Sequence, residues 1–438
     1  MGKFFVQGTV EPGFEPVKEL FARNIQNGTE SNAQLCVYHR GRKVVDLWGS
    51  ACGDPKFGPE SLVNVFSATK SVSSICMAAL VDRGLLKYED KVSQHWPAFG
   101  KQGKENITVA DVLRHEAGLP TLSKSLRREH ISRKCIKANV IGQVIEETRP
   151  HFPPKSFGSV REYHAVTRGW ILNEIFRRVE PKGRTIGEYL RAEISGPLGI
   201  DVYIGVEEDE LKRFSSLQTW HWSKVMAQSM IPEMFGRKIE PNMATIVLKA
   251  FKVVSTSREL ERTQPTRQPV VEGMEKIKNP ANIFPNFNTK EVRMGEIPSA
   301  NGSCTARGLA KLAQCILNGG EFNSVRILST SVVERMQDKP VKRKDFAFSG
   351  VQNYFSQGGV NHFVTFDDDT KQQKQTKKLR EGYVGWFGMG GSVFQWNPRD
   401  EIAFAFVPTL MHWYDVANIR GARYQHLINK CVKSMTVS

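Results

Sequence analysis

A serine and a lysine three residues apart, Ser67 and Lys70, are the residues whose types and spacing best fit covalent catalysis. A serine hydroxyl is a poor nucleophile until another group removes its proton. Positions i and i+3 are neighbours on one face of a helix, so the lysine amine can reach the hydroxyl. A partly desolvated lysine loses preference for its charged form and can accept that proton. The pair indicates an activated nucleophile; the alternative is a helix start with a solvated lysine.

The segment that follows Ser67 predicts a buried helix that positions the pair. Its residues are apolar or small on nearly every side from Val72 to Leu80, and Gly84 ends the pattern. A helix that is apolar all round lies in the interior of a protein. A rigid element of this kind is a suitable support for a nucleophile.

Periodic patterns predict the elements around this helix. Apolar residues have helical spacing over 14–26, and two strand-like runs, 33–38 and 43–48, form a hairpin. His115 ends a short helix, where we expect a cap and dipole partner rather than a base. The remaining predictions are helices at 108–113, 167–179, 185–194, 305–317 and 420–432, strands at 393–396 and 401–407, and a charged, exposed loop at 371–380.

The composition narrows the class of protein. A chain of 438 residues that is 40% hydrophobic can build a sizeable core, as two or three average domains or one large α/β unit. It contains no apolar run of membrane-spanning length, and its first residues lack a signal-peptide pattern. Its seven cysteines are scattered and odd in number, which favours reduced thiols. We therefore expect a cytoplasmic protein, with a mitochondrial location as the alternative.

The net charge of +16 comes largely from three basic tracts, 124–137, 339–344 and 371–380. These tracts lack interleaved aromatic residues and match no nucleic-acid-binding module. The preferred interpretation is therefore a solvated basic face, and nucleic-acid binding is not expected. Attraction to an acidic partner or to an anionic membrane surface stays open. No metal-ligand spacing such as H-E-x-x-H occurs, so neither metal nor cofactor is predicted.

Five landmarks in order along the chain resemble the serine beta-lactamase-like family, specifically its class C beta-lactamase and esterase branch. They are Ser67-Ala68-Thr69-Lys70, residues 114–120, Tyr163-His164-Ala165, residues 301–309 and residues 385–392. The resemblance covers roughly 30–200 and 295–430 and implies one beta-lactamase/transpeptidase-like domain over 1–438, of the α/β (α+β) class. An antiparallel sheet flanked by helices would come from 1–90 and 296–438, a helical part from 91–201, and an irregular insertion or lid from 202–295.

The mechanism that the resemblance implies assigns three catalytic residues. Ser67 attacks an ester or amide carbonyl, while Tyr163 and Lys70 transfer the proton; which of the two is the base stays open. The backbone N–H groups of Ser67 and of a residue that follows Gly388, either Met389 or a neighbour, would stabilise the oxyanion. Gly388 lets the backbone approach the substrate, and Trp386 is a further candidate substrate-binding residue.

Two departures from the family pattern bear on the substrate. Ala165 replaces an asparagine that helps to hold a β-lactam side chain, and Trp386 replaces a cation that would bind a substrate carboxylate. Both changes argue against penicillins, cephalosporins and peptidoglycan stems. We therefore expect a carboxylesterase-type serine hydrolase that acts on small esters or amides with an uncharged or apolar acyl group.

Two questions stay open at this point. The alternative function is a catalytically silent scaffold or partner-binding protein that retains the fold, and an oligomer is compatible with either. The segment 202–295 carries several Trp and Met residues, which can line an apolar pocket or lid or pack as an ordinary helical insertion. They are Trp220, Trp222, Met226, Met230, Met234 and Met243.

Overall fold

A nine-stranded antiparallel sheet forms the centre of the molecule, in the strand order β1-β3-β2-β14-β13-β12-β11-β10-β9. The structure is a computed structural model that describes residues 3–235, 237–239, 242, 284–348, 351–412, 414–415 and 417–437. The sheet strands are β1 Phe5–Val10, β2 Asn32–His39, β3 Arg42–Ser50, β9 Val341–Asp345, β10 Val351–Phe355, β11 Asn361–His362, β12 Val384–Phe387, β13 Val393–Asn397 and β14 Ile402–Pro408. Two smaller antiparallel sheets contain β4 Val63–Asn64, β5 Val202–Ile204 and β6 Gly302–Cys304, and β7 Glu321–Phe322 and β8 Val325–Arg326.

The large sheet is built from both ends of the chain, because β2 pairs with β14 through register partners such as Leu35 and Phe406. The described α-helices surround it. They are α1 Glu15–Gln26, α2 Thr69–Asp82, α3 Val92–His95, α4 Val109–Leu113, α5 Arg133–Lys137, α6 Val140–Glu147, α7 Thr167–Val179, α8 Ile186–Tyr189, α9 Gly196–Leu198, α10 Trp222–Met230, α11 Lys290–Met294, α12 Ala306–Leu317, α13 Thr330–Gln337, α14 Lys371–Lys378 and α15 Ile419–Val437. A π-helical turn, Leu190–Ser195, joins α8 to α9. This architecture confirms the mixed α/β class.

Each face of the sheet has its own hydrophobic core, which the alternation of side chains along a strand explains. On β14, Phe404 and Phe406 belong to the cluster that also contains residues of α1 and α15. Ala403 and Ala405, on the opposite face, belong to the cluster that contains α2, α7 and α12. Small alanines allow helices to pack closely on that face, which is the face that carries α2.

The predicted buried helix is confirmed as α2. Every residue from Thr69 to Val81 is buried, and Gly84, with φ of +67°, follows its end. A short 3-10 turn, Phe66–Ala68, precedes it and positions Ser67 at its N-terminal end. The sequence-based predictions for the hairpin and for α1, α4, α7, α12, β13, β14 and α15 agree with the structure to within a few residues.

The prediction of an exposed loop at 371–380 is wrong, because residues 371–378 form α14. The hydroxyl of Thr370 accepts a hydrogen bond from the backbone N–H of Gln373, and the side-chain oxygen of Gln373 accepts one from the backbone N–H of Thr370. Lys377 also forms an ion pair with Asp369 at 2.8 Å. Lysine and glutamine are good helix formers, so a capped segment without an apolar face can be helical here.

The segment 202–295 is only partly described. Trp220 packs with Val225, Leu410 and Tyr414 in a small cluster, whereas Met230 and Met234 are exposed. Met243 lies outside the described residues, and the lid hypothesis stays a prediction. Within the described ranges, no helix is both long and apolar enough to cross a membrane. All seven cysteines are described, and all are free thiols.

Candidate active site

Ser67 and Lys70 are in contact where the 3-10 turn passes into α2. The Nζ of Lys70 lies 3.2 Å from the Oγ of Ser67. It also donates hydrogen bonds to the carbonyl oxygens of Ala165, at 2.7 Å, and Ser299, at 3.0 Å. Lys70 is 2% exposed, whereas Ser67 is half-buried. The structure thus places a serine that solvent can reach beside a lysine that solvent cannot.

These contacts suit a neutral amine. Burial lowers the pKa of Lys70 well below its ordinary value, and the positive charge of Arg168 lowers it further. An uncharged amine has two N–H donors and one lone pair. The two carbonyl oxygens accept both N–H groups, which leaves the lone pair facing the Ser67 hydroxyl. In this form Lys70 accepts the hydrogen of Ser67 rather than donating to it.

Tyr163 is the third member of the cluster. Its hydroxyl is hydrogen-bonded to Ser67 and accepts the indole N–H of Trp386 at 2.9 Å. Lys70 Nζ lies 4.7 Å from the centre of the Tyr163 ring. Burial raises the pKa of Tyr163, and its side-chain hydrogen bonds with Ser67 and Trp386 oppose this only in part. The phenol is therefore protonated at neutral pH and can act as a proton donor.

The surroundings fix the position of Tyr163. Its backbone N–H donates to the Asp345 carboxylate at 3.1 Å, and its ring packs on His115 with the centroids 4.5 Å apart. The expectation that His115 caps a helix is confirmed for its backbone, which follows α4 with φ of +65° and donates its N–H to the carbonyl of Val112 at 3.2 Å. The expectation that its side chain is a partner of the helix dipole is wrong. His115 is fully buried, its Nδ1 accepts the N–H of His164 at 2.9 Å, and burial lowers its pKa well below the ordinary value. The neutral, buried imidazole of His115 therefore packs against the ring of Tyr163 and carries no charge that could interact with the helix dipole.

The predicted substrate-binding residues lie at the end of β12 and in the turn after it. Trp386 is 4% exposed and stacks on Phe387 at 4.8 Å. The N–H of Gly388 donates to the carbonyl of Ser392 at 2.8 Å. A Cβ on Gly388 would lie 2.2 Å from the carbonyl oxygen of Val65, two residues before Ser67, so only glycine fits at this approach. Met389 follows and is 37% exposed.

Sequence reasoning missed two buried arginines. Arg168, on α7, donates to the backbone carbonyl of Lys70 at 3.2 Å. Arg420, on α15, donates to the carbonyl of Gly390 at 2.5 Å and to Glu30 at 3.1 Å, and so anchors the turn that contains Met389. A charged residue within an apolar helical pattern was the available signal for Arg168, whereas nothing local indicated the contacts of Arg420.

Comparisons with known proteins show the family of the chain. The profile of the Beta-lactamase family matches residues 21–427. The esterase/beta-lactamase LipL of Mycobacterium tuberculosis is 28% identical over 410 residues, which cover 92% of this chain and 82% of LipL. A penicillin-binding protein homologue from Caulobacter crescentus superposes with a TM-score of 0.73 at 25% identity, over 98% of this chain and 100% of that chain. A family VIII carboxylesterase superposes with the same TM-score and coverages at 24% identity.

The fold and these likenesses define a hydrolase of the beta-lactamase/transpeptidase type. Because the family profile spans nearly the whole chain, the protein belongs to the Beta-lactamase family, as the five landmarks predicted.

Proposed function

We propose that the protein is a carboxylesterase-type serine hydrolase that acts through a covalent acyl-serine intermediate. The observation that carries this proposal is the coordination of the Lys70 amine. Two backbone carbonyls occupy its N–H groups, and the Ser67 hydroxyl lies 3.2 Å away. A desolvated amine held in this way is an effective general base at neutral pH.

In the proposed acylation, the Ser67 proton moves to Lys70 as Oγ forms a bond to the substrate carbonyl carbon. The resulting oxyanion is held by the backbone N–H groups of Ser67 and Met389. When the carbon–oxygen ester bond breaks, Tyr163 donates its proton to the leaving alkoxide, and the Lys70 ammonium restores the tyrosine proton. A water molecule then hydrolyses the acyl-enzyme by the same transfers in reverse, which regenerates Ser67.

The proposed substrate is a small ester or amide with an uncharged acyl group. The residue at position 386 is a tryptophan whose N–H bonds to Tyr163, so it supplies no cation for a substrate carboxylate. The residue at position 165 contributes a carbonyl to Lys70 and has no side-chain amide for a β-lactam. The name of LipL, an esterase/beta-lactamase, supports ester hydrolysis, and it also includes the β-lactamase activity that these two residues disfavour.

The test is a comparison of purified variants on p-nitrophenyl butyrate and on a chromogenic cephalosporin. We expect ester turnover by the wild type, weak or absent cephalosporin turnover, and loss of ester turnover in Ser67→Ala and Lys70→Ala. Ser71→Ala is the matched control, because Ser71 is a buried serine on the same helix whose Oγ has no partner among the described residues. A folded wild type with no turnover of either substrate would contradict the proposal and favour the scaffold alternative.

A further inference from the structure

Arg168 is buried beside the proposed base, and all its hydrogen-bond acceptors among the described residues are neutral oxygens. It is 0% exposed and lies on α7, five residues after Tyr163. A guanidinium has five N–H donors, and here each has an acceptor. The acceptors are the carbonyls of Leu113 (3.1 Å), Lys70 (3.2 Å) and Gly359 (3.4 Å) and the hydroxyls of Ser73 (3.5 Å) and Ser74 (2.7 Å).

These bonds satisfy the guanidinium but do not neutralise it. In the part of the chain that the structure describes, no carboxylate pairs with Arg168. Burial lowers the pKa of Arg168 only to about 10, so it stays charged at neutral pH. The fold also makes room for it: Gly359 has φ of +77°, and a Cβ there would lie 2.4 Å from Nη2 of Arg168. A full positive charge is thus fixed in the interior, one hydrogen bond away from the backbone carbonyl of Lys70.

Two neighbouring cations without a counter-ion repel each other strongly when both are buried. Of two such groups, the one with the lower pKa loses its proton, and the pKa of a lysine is lower than that of an arginine. We propose that Arg168 is a positioning residue that keeps Lys70 uncharged and so available as the base for Ser67. This inference rests on the proposed function and adds a residue to it.

Among the described residues, no carboxylate acts on the pKa of Lys70. Tyr163 and His115 are held neutral by burial, as described above. The groups that act on His115 and Tyr163 are His164, whose pKa burial lowers to about 4, Arg161, which pairs with Glu116, and Asp345. Burial raises the pKa of Asp345 to about 7, so this carboxyl is partly ionised at neutral pH, and it contacts the backbone N–H of Tyr163. After burial itself, the positive charge of Arg168 is the influence that most disfavours the charged form of Lys70.

The test measures how the rate of Ser67 labelling by a fluorophosphonate depends on pH, which requires no knowledge of the natural substrate. Labelling needs the neutral amine, so its rate rises as pH passes the pKa of Lys70. In Arg168→Gln the charge is gone and an amide remains, and we expect the rise to move up by about one pH unit. Below the transition the rate then falls about tenfold relative to the wild type. In Arg168→Lys the new amine can itself release its proton, so we expect a transition between those of the wild type and Arg168→Gln.

A second variant covers the case in which Arg168→Gln does not fold. Ser74→Asp places a carboxylate at the hydroxyl that accepts from Nη2, so it neutralises the arginine without removing it. We expect the same upward shift. A purely structural role of Arg168 would lower the rate at every pH and leave the transition unmoved, and that result in the folded variants would overturn the inference. Absence of labelling in the wild type would instead refute the proposed function itself.

Discussion

Replacing Trp386 with phenylalanine removes one buried N–H donor from the hydroxyl of Tyr163 and keeps an aromatic ring on β12. The lost hydrogen bond is 2.9 Å long and is fully enclosed by protein. In the proposed mechanism Tyr163 gives its proton to the leaving group, so negative charge develops on the oxygen that this N–H contacts. A hydrogen bond to a charged group contributes about 1.5–3 kcal/mol, which corresponds to a loss of roughly 10- to 100-fold in kcat.

The matched control is Trp396→Phe. Trp396 is fully buried on the neighbouring strand, and its indole N–H makes a hydrogen bond of the same length to Gln337. Both variants should lose comparable stability in thermal unfolding, whereas only Trp386→Phe should lose kcat on p-nitrophenyl butyrate, with KM little changed. Equal kcat for the two variants would refute the assignment of a transition-state role to the Trp386–Tyr163 bond.

Two further predictions concern the support of the site. Gly388→Ala should abolish ester hydrolysis and lower the melting temperature, because the new methyl group would lie 2.2 Å from the Val65 carbonyl oxygen. Gly58→Ala is the control and should change neither, because nothing lies within 4 Å of a Cβ at that position. An active Gly388→Ala would contradict the close approach of the two backbones. Burial raises the pKa of Glu30 to about 7, despite Arg420, whereas the unfolded chain ionises at its ordinary value. Between these values the folded state binds more protons, so stability should decline by up to about 3 kcal/mol as pH rises toward about 7. Chemical denaturation across this range should show a shallower decline in Glu30→Gln, and parallel curves would contradict the assignment.

The part of the fold that the sequence predicted is the part with strong local patterns. Helix α2 is apolar on nearly all sides, and α12 is preceded by its N-cap Thr305, whose side chain accepts a hydrogen bond from the N–H of Gly308. Such features depend on neighbours three or four residues away, so they can be recognised in the sequence alone.

The part that was missed depends on distant partners. Strand β1 is ordered by pairing with β3, and its own residues alternate only weakly. Helix α14 has no apolar face and relies on a cap and on the ion pair of Lys377 with Asp369. Strand pairing with a distant segment and a helix without an apolar face both leave little trace in the local sequence pattern.

In the candidate site, too, the sequence predicted the local contacts but not the long-range ones. Spacing alone predicted the contact of Ser67 with Lys70, since this contact is set by one helical turn. The two carbonyls that hold the amine come from residues 95 and 229 positions away in the chain. Arg168 lies on a helix that the sequence predicted, but its hydrogen-bond acceptors come from three other segments of the chain. Long-range contacts of this kind are fixed by the tertiary fold.

The most direct test of the central claim is the intact mass of the protein after exposure to a fluorophosphonate, for the wild type beside Ser67→Ala and Lys70→Ala. We predict one adduct on the wild type and none on either variant, because the hydroxyl must be present and its proton must have an acceptor. An adduct that persists in Ser67→Ala, or a folded wild type that remains unmodified, would contradict the claim that Ser67 is a nucleophile activated by Lys70.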